Sequence, residues 1–80
     1  MIRLTIRCSD PSHEVEEVEK EYILDDEMSG LTDFLIFGEW LVFTGPSVSL
    51  VLPLPVDERN GWKVRVEIDG QRLPRRMKRR

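Results

Sequence analysis

Two stretches of the chain alternate apolar and polar residues without interruption. In the first, Ile2, Leu4, Ile6 and Cys8 alternate with Arg3, Thr5 and Arg7; in the second, Trp62, Val64, Val66 and Ile68 alternate with Lys63, Arg65, Glu67 and Asp69. A period of two is the pattern of a strand that buries one face and wets the other, so both stretches predict half-buried β-strands. The chain is thereby committed to a sheet whose apolar face must be covered by a second layer.

Eighty residues supply material for one domain. A domain this small buries only about 60% of the surface its unfolded chain exposes, so every large apolar side chain matters to its stability. A single cysteine excludes an internal disulfide and fits a reducing compartment. The N-terminal residues interleave charge with apolar residues, which is wrong for a secretory signal, and a cytoplasmic location is expected. Residues 40–56 form an uncharged run of 17, at the short end of what spans a bilayer. Gly45, Pro46, Pro53 and Pro55 would break such a helix, so the run predicts a buried hairpin and no membrane insertion.

Between the two alternating stretches the pattern is weaker. Ser9, Asp10, Pro11 and Ser12 carry turn chemistry. Residues 14–24 fit two states. As a helix they have caps in Asp10 or Ser12, Pro11 in the first turn, and a thin stripe of Val15, Val18 and Tyr22. As a strand they place Val18, Lys20, Tyr22 and Leu24 on one face and give Arg3 and Arg7 acidic cross-strand partners. The thin stripe, and acids at what would be the helix's negative end, tilt the balance toward a hairpin with the first strand. Residues 31–37 predict a short helix, with Ser29 or Thr32 near its start and Gly38 closing it. Residues 40–43 and 48–52 predict strands joined through Thr44, Gly45, Pro46 and Ser47, and Pro53 and Pro55 put the second at a sheet edge. Asn60 with Gly61, and Asp69 with Gly70, are turn signals; residues 71–73 can add a last short strand. The expected fold is α+β: mainly an antiparallel sheet of four or five strands with one short helix. Residues 1–73 form the domain and residues 74–80 a disordered basic tail.

Charge is segregated along the chain. Residues 10–27 carry nine acids against Lys20 alone, while residues 72–80 carry six cations, and the net charge of -3 conceals both poles. Such segregation points to partners met electrostatically. The tail residues Arg72, Arg75, Arg76, Lys78, Arg79 and Arg80 could neutralise phosphates, with a steep loss of binding in salt. No aromatic is interleaved with them for base stacking, so sequence-specific recognition is not indicated.

Catalytic and metal chemistry finds little support. Cys8 and His13 have half the spacing of a zinc site, but no second ligand pair follows, and Cys8 sits on the apolar face of its strand. No nucleophile, base and stabiliser assemble, and no glycine-rich phosphate loop appears. The expectation is a non-enzymatic chain without cofactor or metal.

Residues 34–43 are apolar on both faces of any regular element. Small domains use most such residues in the core; whatever remains exposed marks a surface for a partner or a second copy. The expected function is therefore a small protein-binding module, accessory or inhibitory, of a size found among phage proteins. Its partner is a larger protein with a basic surface, with a homodimer as the other possibility. The contact residues are an acidic strip of Glu14, Glu16, Glu17, Glu19 and Glu21 and an aromatic patch of Phe37, Trp40 and Trp62. Nonspecific nucleic-acid or ribosome association through the tail is the alternative.

Overall fold

In the computed structural model, which describes residues 1–12, 17–57 and 61–76, seven strands form two antiparallel sheets. The first sheet is built around β1 (Ile2–Ser9), with β2 (Glu17–Leu24) on one side and β6 (Lys63–Ile68) on the other; β7 (Gln71–Arg72) adds to β6. The second sheet is the meander β3 (Asp33–Phe37), β4 (Trp40–Thr44) and β5 (Ser49–Pro53).

Both alternating stretches are strands, and they pair with each other. Leu4, Ile6 and Cys8 oppose Ile68, Val66 and Val64 across the β1–β6 ladder, so these three apolar positions of one meet apolar positions of the other on the same face. Residues 17–24 are the strand alternative: Leu4 opposes Tyr22, Cys8 opposes Val18, and Arg7 opposes Glu19. The register puts Val18, Tyr22 and Leu24 on the covered face and the glutamates on the wet one. A helix over the same residues would have buried only three side chains.

The short helix expected at residues 31–37 is not present. Those residues lead into and form β3, and the only helical element among the described residues is a 3₁₀ helix at Asp26–Gly30. Two physical reasons favour the strand. Gly38 adopts φ +62° and heads a two-residue loop with Glu39, the arrangement that reverses a chain into a tight hairpin. A hairpin also gives each backbone group of residues 33–37 a ladder partner on β4, whereas a helix of two turns leaves most of its terminal groups unpaired. The fold is accordingly mainly β in two sheets.

The core lies between the sheets. Leu4, Ile6, Cys8 and Val66 from the first meet Phe34, Leu41 and Phe43 from the second, with Leu31 and Leu73 closing the ends. The rings of Phe34 and Phe43 pack with centroids 5.9 Å apart and a 34° tilt. The connection from β2 to β3 is packed tightly enough that Gly45 lies directly on the Gly30 carbonyl, leaving no space for a side chain there.

The body does not end at Pro74. Leu73 N–H donates to the Val66 carbonyl at 2.8 Å, continuing the β6–β7 ladder by one bond. The chain then crosses to the other sheet, where Phe34 N–H donates to the Pro74 carbonyl at 3.1 Å and Arg76 N–H to the Phe34 carbonyl at 2.6 Å. This parallel bridge makes residues 74–76 an edge of the second sheet while residues 71–73 are an edge of the first. One segment thus belongs to both sheets and closes one side of the sandwich. The remainder of the expected tail, residues 77–80, lies outside the described residues.

Candidate functional site: the outer face of the second sheet

The side of β3, β4 and β5 turned away from the core is organised as three cross-strand rows. Phe37, Trp40 and Pro53 form the row at the Gly38 turn; Leu35, Val42 and Val51 form the next; Asp33, Thr44 and Ser49 form the third. The first two rows contain no charge and no hydrogen-bonding side chain except the Trp40 indole. Phe37 is 60% exposed, Trp40 51% and Val51 54%, among the largest exposures of any apolar residue in the fold. A fully covered aromatic residue buries about 150–250 Å², so this half-exposed pair alone offers about 200 Å². With Val51 and the half-covered neighbours the patch reaches the few hundred Å² typical of a functional surface on a small protein.

The third row ends the patch with a closed polar network. Thr44 Oγ1 donates to Asp33 Oδ1 at 2.6 Å, and the Arg76 guanidinium donates to Asp33 Oδ2 at 3.2 Å and to Thr44 Oγ1 at 3.3 Å. At the opposite end the nearest charged residue in the chain is Glu39, in the turn between Phe37 and Trp40. Glu39 and Asp57 line a shared depression of about 340 Å³ with Leu54, Pro55 and Val56. The patch is therefore apolar at its centre, acidic at its turn end and neutralised at its far end.

The structure brings together Phe37 and Trp40 from the expected aromatic patch as direct cross-strand neighbours. Trp62 is elsewhere, half-buried against the core at the start of β6. Val51 joins the two aromatics although nothing local distinguishes it from a buried strand residue. The signal that finds it is register: it sits two strands from Leu35 in the same row.

Of the expected acidic strip, Glu14 and Glu16 lie outside the described residues. Glu17, Glu19 and Glu21 alternate along the outer face of β2. Two of them face cations: Glu21 is 3.5 Å from Arg3 and Glu19 3.9 Å from Arg7. These exposed pairs contribute little to stability. They do interleave positive charge into the row, so the face is mixed in sign. Arg72 lies in β7, Arg75 and Arg76 in the segment beside β3, and Lys78, Arg79 and Arg80 outside the described residues.

Cys8 is fully buried between the sheets, and burial pushes its thiol up from the ordinary 9.0 to about 11. His13 lies outside the described residues. The thiolate is the reactive form, so native Cys8 resists alkylation at neutral pH and labels only on unfolding. The raised pKa also sets a direction for stability. The unfolded thiol ionises first, so this contribution is intact below about pH 9 and is lost progressively as pH rises toward about 11. Thiol titration with and without denaturant checks the first expectation; a full stoichiometric reaction of the native chain at pH 7 would contradict it.

No helix among the described residues is long and apolar enough to cross a membrane. Among the same residues no group of three or more His, Cys, Asp or Glu is placed to hold a metal ion. The chain matches no protein-family model, no curated protein and no solved structure.

Proposed function

We propose that this chain is a protein-binding module that docks a larger partner on the outer face of β3, β4 and β5. The observation that carries the reading is the set of two charge-free rows, with Phe37, Trp40 and Val51 each more than half exposed. A small domain has few large apolar side chains to spare, and leaving three of them in water costs core that it could otherwise have built. Exposed aromatic residues in an apolar patch with polar groups at its borders are features of an interface. The partner's chemistry follows from the rim: an apolar patch bordered by lysine or arginine that meets Glu39.

The test uses a photo-crosslinking residue in place of Val51, with the same probe at Glu21 on the other sheet as reference. The Val51 probe is expected to trap a partner with a basic rim. Replacing Phe37 and Trp40 together by serine is expected to abolish trapping, since interface anchors are worth about 2 kcal/mol or more each, roughly 30-fold in affinity. Adducts of twice the chain's mass would show that the patch is covered by a second copy. Equal trapping from Glu21 would remove the patch from consideration.

A further inference from the structure

A second surface lies on the other side of the molecule, where β6 and the C-terminal segment part company. The β6–β7 hairpin pairs Ile68 with Gln71 and Glu67 with Arg72, then gains one more bond from Leu73 to Val66. Beyond it Pro74 turns away to β3. The divergence opens a cleft of about 320 Å³ with Phe34, Val66 and Leu73 at its base and Val64, Arg65, Arg72 among its walls. That volume is at the lower end of ligand sites. A second depression of about 230 Å³ continues it past Arg7 and Lys63.

Among the described residues, the backbone in this cleft has an unpaired edge. The Val66 carbonyl points away from β1, because it accepts from Leu73, and groups two residues apart on a strand point the same way. The Val64 N–H and carbonyl therefore face the cleft too. Among the described residues no strand pairs with β6 on that side short of Glu67. Such an edge is a template for another strand.

The side chains around it are basic. Arg7 and Arg65 stand directly opposite each other across the β1–β6 ladder, and Lys63 and Arg72 flank them on the same face. Like charges in direct register are unfavourable, and here they are only partly offset. Glu67 is shared between Arg7 at 4.0 Å and Arg65 at 3.8 Å, Glu19 lies 3.9 Å from Arg7, and Glu17 lines the depression, so four cations face three carboxylates. The arrangement has room for added negative charge.

We propose that this cleft binds an acidic extended peptide by strand addition to the β6 edge. Main-chain bonds form to Val64. Side chains of the added strand alternate, apolar ones toward Val64 and Val66, acidic ones toward Arg7, Lys63, Arg65 and Arg72. The sequence chosen is therefore one alternating Glu or Asp with apolar residues. A nucleic acid would meet the cations but find no exposed aromatic here for stacking, since Phe34 is buried, and would leave the strand edge unused.

The experiment is a titration of the full chain with a synthetic ten-residue peptide alternating glutamate and valine, followed by backbone amide NMR. The largest shifts are expected at Val64 and Arg65. Arg72→Glu, on an exposed two-residue strand, is expected to weaken binding at least tenfold. Val64→Pro removes the donor that faces the cleft and is expected to do the same; Arg72→Glu keeps the proposal testable should the proline variant fail to fold. A lysine–valine peptide is expected not to bind, and the Phe37 and Trp40 serine variant to bind as the parent does, which separates this site from the aromatic face. Three results would overturn the proposal: shifts centred on β2 or β5, equal affinity for the lysine peptide, or binding of a short oligothymidine in the cleft with none of the acidic peptide.

Discussion

Phe34→Ala should be among the most destabilising single substitutions in the chain. Phe34 is 2% exposed, stacks on Phe43 and forms the base of the seam where the C-terminal segment meets β3. Truncating a buried phenylalanine to alanine costs about 3–5 kcal/mol through lost transfer energy and the cavity left behind. A chain of this length commands about 4–12 kcal/mol in total, so one substitution removes a quarter or more. The melting temperature should fall by at least about 12 °C. Neighbouring Leu35 is the control: on the outer face, Leu35→Ala should cost about 1 kcal/mol or less. Calorimetry of the two variants checks the contrast, and equal losses would mean that the inner and outer faces of β3 have been misassigned.

A chain ending at Leu73 should be less stable than one ending at Arg76 by about 2–3 kcal/mol. The difference lies in what residues 74–76 contribute. They supply both hydrogen-bond partners of the Phe34 backbone, each worth about 0.5–1.5 kcal/mol net. They also carry Arg76, paired at 3.2 Å with a partly buried Asp33, for which a surface-type pair adds at most about 1 kcal/mol. Urea unfolding of the full chain and of versions ending at Arg76 and Leu73 tests this. Coincident midpoints for all three would show that the segment does not hold the sheets together. The prediction bears on any binding study that deletes the basic end, because a cut at Leu73 changes the body as well as the charge.

The two strands with strict alternation were legible because each has one wet face, and charge on that face exposes the period. β2 was half legible: its acids suit a helix start, but Arg3 and Arg7 opposite them reveal the strand. β3 was hidden by the very feature that makes the candidate site. Phe34 and Ile36 point inward and Leu35 and Phe37 outward, yet all four are apolar, so no period can be seen. An interface on a sheet face erases the contrast by which a strand is recognised. Phe37 and Trp40 were accessible as an excess of apolar residues, while Val51 required the register. The basic cleft was out of reach, since Arg7, Lys63 and Arg65 each resemble an ordinary outward residue of a strand. Only the pairing of the chain's beginning with its end sets them side by side.

That pairing also fixes an order of events. β1 is the centre of its sheet and the first strand to be synthesised, but its second partner, β6, begins about sixty residues later. Until then Ile2, Leu4, Ile6 and Cys8 have only β2 beside them, and the second sheet that covers them is completed at Pro53 with one edge of β1 still open. The bonds that join Asp69 to the Arg3 backbone, and Pro74 to Phe34, close loops of the same long kind. Topologies dominated by such distant contacts fold slowly, because the entropy of closing the loops is spent before the contacts reward it. In the interval before β6 emerges, β1 is an apolar strand with one open edge, and it is then that the molecule is most exposed to aggregation or capture by chaperones.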